Sequence, residues 1–320
     1  MSAETPTEDP DVPTTRFGAI GTQTPHRRTT KDVPLALLIG LLAGAWGLFP
    51  WLFTGLRLPL QNLWNTEVLP AQMPLSLLPL SQYELTTLVA LLTVGGASAG
   101  LAIRIWAPER RKLALICTAA GVLVVQLSAT VQSFMVLKAG LDGGTRSVLY
   151  FAGLLAGVSI SIIAAMVALI LIASTSRAMT TLGVGLMATP LTSWVSEALV
   201  NLLGAASLPA TVLMLLRWLP AVLVGAGLAW CGLRSVKFVV VWLVNLVLLW
   251  VIPALFITVN YVLGSRVLLS DPQEITSATQ QILAAALGPN GGAGPLLILA
   301  LTIGLAGIGV REVLRRTRKG

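Results

Sequence analysis

The feature that most limits how this chain can fold is a series of long runs that carry almost no charge. No charged residue interrupts Val148–Ala173 or Phe238–Leu263. A bilayer core about 30 Å thick is crossed by roughly 20 apolar helical residues. In lipid each backbone N–H and C=O has to be bonded internally, so such runs are helices. Charged residues make up only 11% of the chain and hydrophobic ones 55%, whereas soluble domains carry roughly 25% charged residues. The expectation is an all-α polytopic membrane protein of about eight transmembrane helices. Their spans fall near 34–53, 85–105, 113–137, 148–173, 182–204, 209–233, 238–263 and 295–310.

The segments outside the spans differ in kind. Residues 1–31 are rich in Thr, Pro and acids and show no apolar period, so they are expected to be a disordered tail. Residues 313–320 read as a second, basic tail. The connection 55–84 holds Pro59, Pro70, Pro74 and Pro79, yet Leu58, Leu60, Trp64 and Val68 make it apolar. It is expected to lie in the interface or across the outer mouth of the bundle. Asp271-Pro272-Gln273-Glu274 has the signature of a helix start, with Asp as N-cap, Pro at the first helical position and an acid in the first turn. Ile275, Thr279, Ile282, Leu283 and Ala286 then form one apolar stripe, and Gly288-Pro289 ends it. This predicts a short amphipathic helix over 272–287, flat on the outer interface.

The net charge of +8 does not point to nucleic acid, because no basic stripe is interleaved with aromatics. The basic residues cluster instead at the ends of alternate spans. With an inner N-terminus and eight spans, only Arg57, Lys138, Arg146 and Arg266 fall outside, and Arg217 falls within a span. The positive-inside rule then places both termini in the cytoplasm. Arg exceeds Lys and Ala, Gly, Leu and Val dominate, a composition that suggests a bacterial plasma (inner) membrane.

No cofactor or metal is expected, since Cys117 and Cys231 are isolated in apolar runs and the single histidine, His26, lies in the tail. No HExxH, GxSxG or paired-carboxylate arrangement is present, so no enzyme chemistry is expected. Small-xxx-small pairs at Gly40/Gly44, Gly96/Gly100 and Gly153/Gly157 mark candidate helix contacts. Gln126, Thr130 and Ser133 share a face of the third span and read as interhelical hydrogen-bonding groups rather than ligands.

One constellation stands out. Thr189, Ser193, Glu197 and Asn201 recur every four residues and so lie on one face of the fifth span. Arg217 follows in the sixth span, and Asn245 in the seventh. At ~1.5 Å per residue, Glu197 and Arg217 are expected at the same depth on antiparallel neighbours. An ion pair between them is the expectation, because a lone charge at that depth costs roughly 2.5–3.5 kcal/mol. Pro190 raises a rival in which the fifth span is broken or re-entrant.

Two functions follow. In the first, the protein is a permease-like transporter, and a small solute or a proton moves along a polar path around Glu197. In the second, Glu197 and Arg217 only clip two helices together. The protein is then a non-transporting accessory or scaffold for envelope assembly or cell division, contacting membrane or envelope partners through 55–84 and 271–290. Lipid is the surrounding partner in both.

Overall fold

A computed structural model describes residues 29–233, 235–264, 272–288 and 291–317. Its elements are α1 (Thr29–Leu52), α2 (Leu85–Trp106), α3 (Arg111–Gly140), α4 (Thr145–Ala173), α5 (Arg177–Leu203), α6 (Ala210–Leu216), α7 (Leu219–Cys231), α8 (Val236–Gly264), α9 (Pro272–Leu287) and α10 (Ala293–Thr317). Among the described residues the only β pairing is two isolated bridges, Arg57 with Leu75 and Trp64 with Leu141. The fold is therefore all-helical, as the apolar runs require.

Seven helical stretches among the described residues are long and apolar enough to cross a membrane, with α6 and α7 counting as one. The expected eighth, α5, has 27 residues, ample length at ~1.5 Å per residue. Its threonines, serines and Glu197 keep it from the hydropathy of the other seven. It nevertheless traverses the whole bundle. At its start Thr180 accepts a hydrogen bond from Arg104 at the end of α2, 2.7 Å away. Near its end Asn201 donates to the Pro50 carbonyl at the end of α1, 3.2 Å away.

The helix ends sort into two groups. Arg104 bonds the Ser174 carbonyl and Arg111 the Ala173 carbonyl. The guanidinia of Arg104 and Arg177 lie 5.1 and 5.6 Å from the Trp230 ring centroid. Arg311 donates to the carbonyls of Ala229 and Trp230 at 2.9 Å each. The ends of α2, α4, α7 and α10 and the starts of α3 and α5 thus meet at one basic pole. Ala36 near the start of α1 packs there too, in a cluster with Ile103, Ala114 and Ala173.

Glycines set the closeness of the first four helices. A Cβ on Gly96 would collide with the Ala165 carbonyl, and one on Gly100 would sit 2.5 Å from the Leu169 carbonyl. Gly40 meets the backbone at Thr118 in the same way, across α1 and α3. Two of the three expected small-residue pairs therefore lie at helix contacts. The third does so only in part: Gly153 faces open space, while a Cβ on Gly157 would lie 3.1 Å from the Leu85 side chain at the start of α2. Gln126 donates to the Leu92 carbonyl at 2.8 Å, tying α3 to α2.

The connection 55–84 is a folded cap over the pole opposite the basic one. Leu58, Met73, Leu78 and Leu80 are buried. Trp51 donates its indole N–H to the Ser76 carbonyl at 2.9 Å, and the Leu78 amide donates to Ser133 Oγ at 2.8 Å. Prolines suit this segment because its backbone groups bond to side chains and turns instead of to a regular ladder.

Several boundaries move. α1 begins at Thr29, inside the segment expected to be tail, and residues 1–28 lie outside the described residues. α10 continues to Thr317, so Val313–Thr317 extend a helix where a separate tail was expected. The i,i+4 pair of Glu312 and Arg316, 3.5 Å apart, suits that extension. α9 has the expected bounds and packs beside α8, although its expected N-cap, Asp271, lies outside the described residues. Pro190 leaves α5 continuous, which removes the broken-helix alternative within the fold. The break falls in the next span instead, where α6 ends at Leu216 and α7 starts at Leu219. Pro220 has no N–H to give to the Leu216 carbonyl and sits at the second position of the new helix.

Candidate functional site

The six expected polar residues fall into three places. Thr189 and Ser193 join Arg217 around a cavity of about 330 Å³. Thr192 adds a third hydroxyl from α5, Pro220 comes from α7, and Trp250 and Pro253 from α8. Ala286 of α9, the Gly291–Gly292 turn and the first residues of α10 close the remaining side. Gly292 holds φ +77°, a left-handed conformation that favours glycine, and a Cβ there would lie 3.4 Å from Arg217 Nη2.

Arg217 is the only charged residue among those that line the cavity. It is the C-cap of α6, at the α6–α7 break. Thr189, also in the lining, is 9% exposed, and its Oγ1 is enclosed by protein without a hydrogen-bond partner. The usual outlet for a helical Thr hydroxyl is the carbonyl four residues back, as Thr192 does with Ala188 at 2.8 Å. The cavity thus offers a guanidinium beside Ser193 and apolar walls that include a tryptophan, while the Thr189 Oγ1 is covered by protein. Such a mixture can hold a small molecule with an anionic end and an apolar body.

Glu197 and Asn201 lie elsewhere. Asn201 donates to Glu197 Oε1 at 3.0 Å and to the Pro50 carbonyl of α1. One turn earlier, Trp194 donates to the Gly47 carbonyl at 2.8 Å and packs on Trp46 and Phe49. This stretch of α5 is therefore bound to α1. The expected ion pair is absent: among the described residues the one ion pair is Glu312 with Arg316. Equal depth along the axis did not mean the same direction, since Glu197 faces α1 and Arg217 the cavity beside α10.

Asn245 is fully buried away from the cavity. It donates to the Val241 carbonyl at 2.8 Å, and its Oδ1 has no partner. Its amide lies against Gly185, where any side chain on α5 would collide with it. It reads as a packing group between α5 and α8.

Glu84, expected at the end of the connecting loop, is the acid the structure adds to the neighbourhood of Glu197. It is the N-cap of α2 and lies within electrostatic reach of Glu197. Its position directly before an apolar run, where an acid favours the helix dipole, was the available signal. No group of three or more His, Cys, Asp or Glu able to hold a metal occurs among the described residues.

No known family model matches this chain, and neither a curated protein nor a solved structure is similar to it.

Proposed function

We propose that this protein is a permease-like integral protein of a bacterial inner membrane. It spans the bilayer eight times with both termini cytoplasmic, and it binds a small anionic solute in the cavity between α5, α7, α8 and α10. The observation that carries the reading is the guanidinium of Arg217, the one charged group in a cavity otherwise lined by hydroxyl-bearing and apolar residues. A cationic group within membrane depth is a functional hypothesis by default. Arg217, Thr189 and Ser193 are the binding residues in this reading. Glu197 and Asn201 hold α5 on α1, and the proton path around Glu197 loses its support because Glu197 does not line the cavity. The count of eight rests on α5 crossing the bundle as the other helices do, and the orientation rests on the basic pole.

The test is a thermal-shift series on the purified full chain in detergent, with small carboxylates and inorganic anions as probes. At least one probe should raise the unfolding temperature of the wild type and leave Arg217→Gln unmoved. If no anion shifts the wild type, or if both proteins shift alike, the anionic-solute reading fails.

A second reading has one observation of its own. Leu60, Leu69 and Leu75 on the folded cap are 49%, 65% and 56% exposed, a surface suited to a membrane or envelope partner. An accessory protein of that kind would keep its partners on co-purification when Arg217 is changed and lose them when these leucines become Ser. A transporter without such partners would show no co-purification that depends on these leucines.

A further inference from the structure

We propose that the cleft at the basic pole, between the start of α5 and the ends of α7 and α10, binds a phosphate-bearing anion. The cleft is separate from the solute cavity, and the proposal stands without the transport reading.

The cleft has a volume of about 180 Å³. Arg177, Arg311 and Arg315 line it, with one acid, Glu312. Glu312 is turned to Arg316 on its own helix, at 3.5 Å. Among the described residues none of the three lining arginines is in an ion pair. Arg177 is the first residue of α5, so the partial positive charge of that helix end adds to the guanidinia.

The surroundings deepen the imbalance. Arg104 stands behind Arg177, and both face the Trp230 ring. Arg111 is close enough to Arg104 for the two cations to repel. Five arginines are thus gathered at one pole with a single carboxylate among the cleft residues. Three are anchored by carbonyls: Arg104 by Ser174, Arg111 by Ala173, and Arg311 by Ala229 and Trp230. Those bonds orient the side chains but leave their net charge unmatched. A fork of guanidinium N–H groups matches phosphate oxygens in pairs. Basic pockets between membrane helices on the cytoplasmic side suit lipid phosphates.

The phosphate could belong to a lipid headgroup or to a soluble phosphate, and the experiment separates the two. The purified full chain in neutral detergent is titrated with short-chain phosphatidylglycerol, with phosphatidylcholine of the same chain length, and with inorganic phosphate. Unfolding temperature and native mass spectrometry are read together. Phosphatidylglycerol should stabilise the protein and remain bound in the gas phase, whereas phosphatidylcholine should do neither. Arg177→Gln with Arg315→Gln should weaken that binding by roughly tenfold or more, on the scale of charge-assisted hydrogen bonds. Among the described residues neither side chain donates to a backbone carbonyl as Arg311 does, so the double variant should fold, and an unchanged circular-dichroism spectrum checks this. Stabilisation by inorganic phosphate alone, lost in the double variant, supports the site and assigns it to a soluble phosphate. No stabilisation by either phosphate, or equal binding by wild type and variant, overturns the proposal.

Discussion

The first four helices and the last three solve the same problem in different ways. In α2, 61% of the most apolar stretch is buried within the protein, but only 17% of that in α10. The first group closes through glycines against backbone carbonyls, with a folded cap sealing one pole. Large side chains face outward in both groups, such as Ile160 at 66% and Leu243 at 59% exposed, but the later group borders the cavity of about 330 Å³. In lipid an outward leucine loses nothing, because the tails are as apolar as the core. Tightness in the first group therefore reflects shape, and looseness in the second leaves room for a ligand.

The largest effects should come from closing the tight group. Gly96→Val forces α2 off the Ala165 carbonyl and should destabilise the protein by at least about 3 kcal/mol, the upper end of overpacking penalties. Gly153→Ala, in open space, should be neutral or slightly stabilising, since Ala is the better helix former. Thermal unfolding in detergent compares the two, and equal losses would erase the contrast.

A smaller effect is expected at the cap. Ser133→Ala leaves the buried Leu78 amide without its acceptor, which costs about 1–3 kcal/mol. Hydrogen exchange should rise in 76–80 and not in α7 or α8. If the whole bundle loosens together, the cap is not a separate cooperative unit.

The correction at Glu197 predicts a near-absence of coupling. A double-mutant cycle of Glu197→Gln and Arg217→Met should give an interaction below about 0.5 kcal/mol, as for distant sites. An interaction of several kcal/mol would restore the ion pair that the spacing suggested.

The smallest effect is a pH dependence between α3 and α4. The Asp142 carboxylate accepts from the Ser147 hydroxyl and the Gly144 amide, and these hold its pKa below the ordinary carboxylate value. A lowered folded pKa stabilises this turn above the unfolded value, and that contribution is lost as pH falls through the folded one. Asp142→Asn should therefore lower stability slightly at neutral pH and flatten the acid limb, as followed by exchange at 142–147.

Much of the fold was legible because bilayer thickness and helical rise turn run length into spans. The proline and acid of 272–274 marked α9 at its first turn. The cap was only half legible: its apolar content showed that it was not free coil, but its contacts with Gln132, Ser133 and Tyr150 join residues far apart in sequence. The site was less legible still. A four-residue spacing put Thr189, Ser193, Glu197 and Asn201 on one face. Over that length the face turns, so its first half meets the cavity and its second half meets α1. Arg217 could be placed in depth but not in direction, because direction depends on which neighbouring helices pack around it.

The central claim is that water and small solutes reach the Thr189–Ser193 face of α5 while the first four helices stay dry. Cysteine accessibility tests it most directly. In a background with Cys117 and Cys231 replaced, Ser193→Cys and Ser161→Cys are each exposed to a small, membrane-impermeant thiol reagent. Ser161, on α4, is 1% exposed and bonds the Gly157 carbonyl. The account predicts rapid modification at 193, slowed by Arg217→Trp, and none at 161. Equal protection of both positions in a folded protein would contradict it.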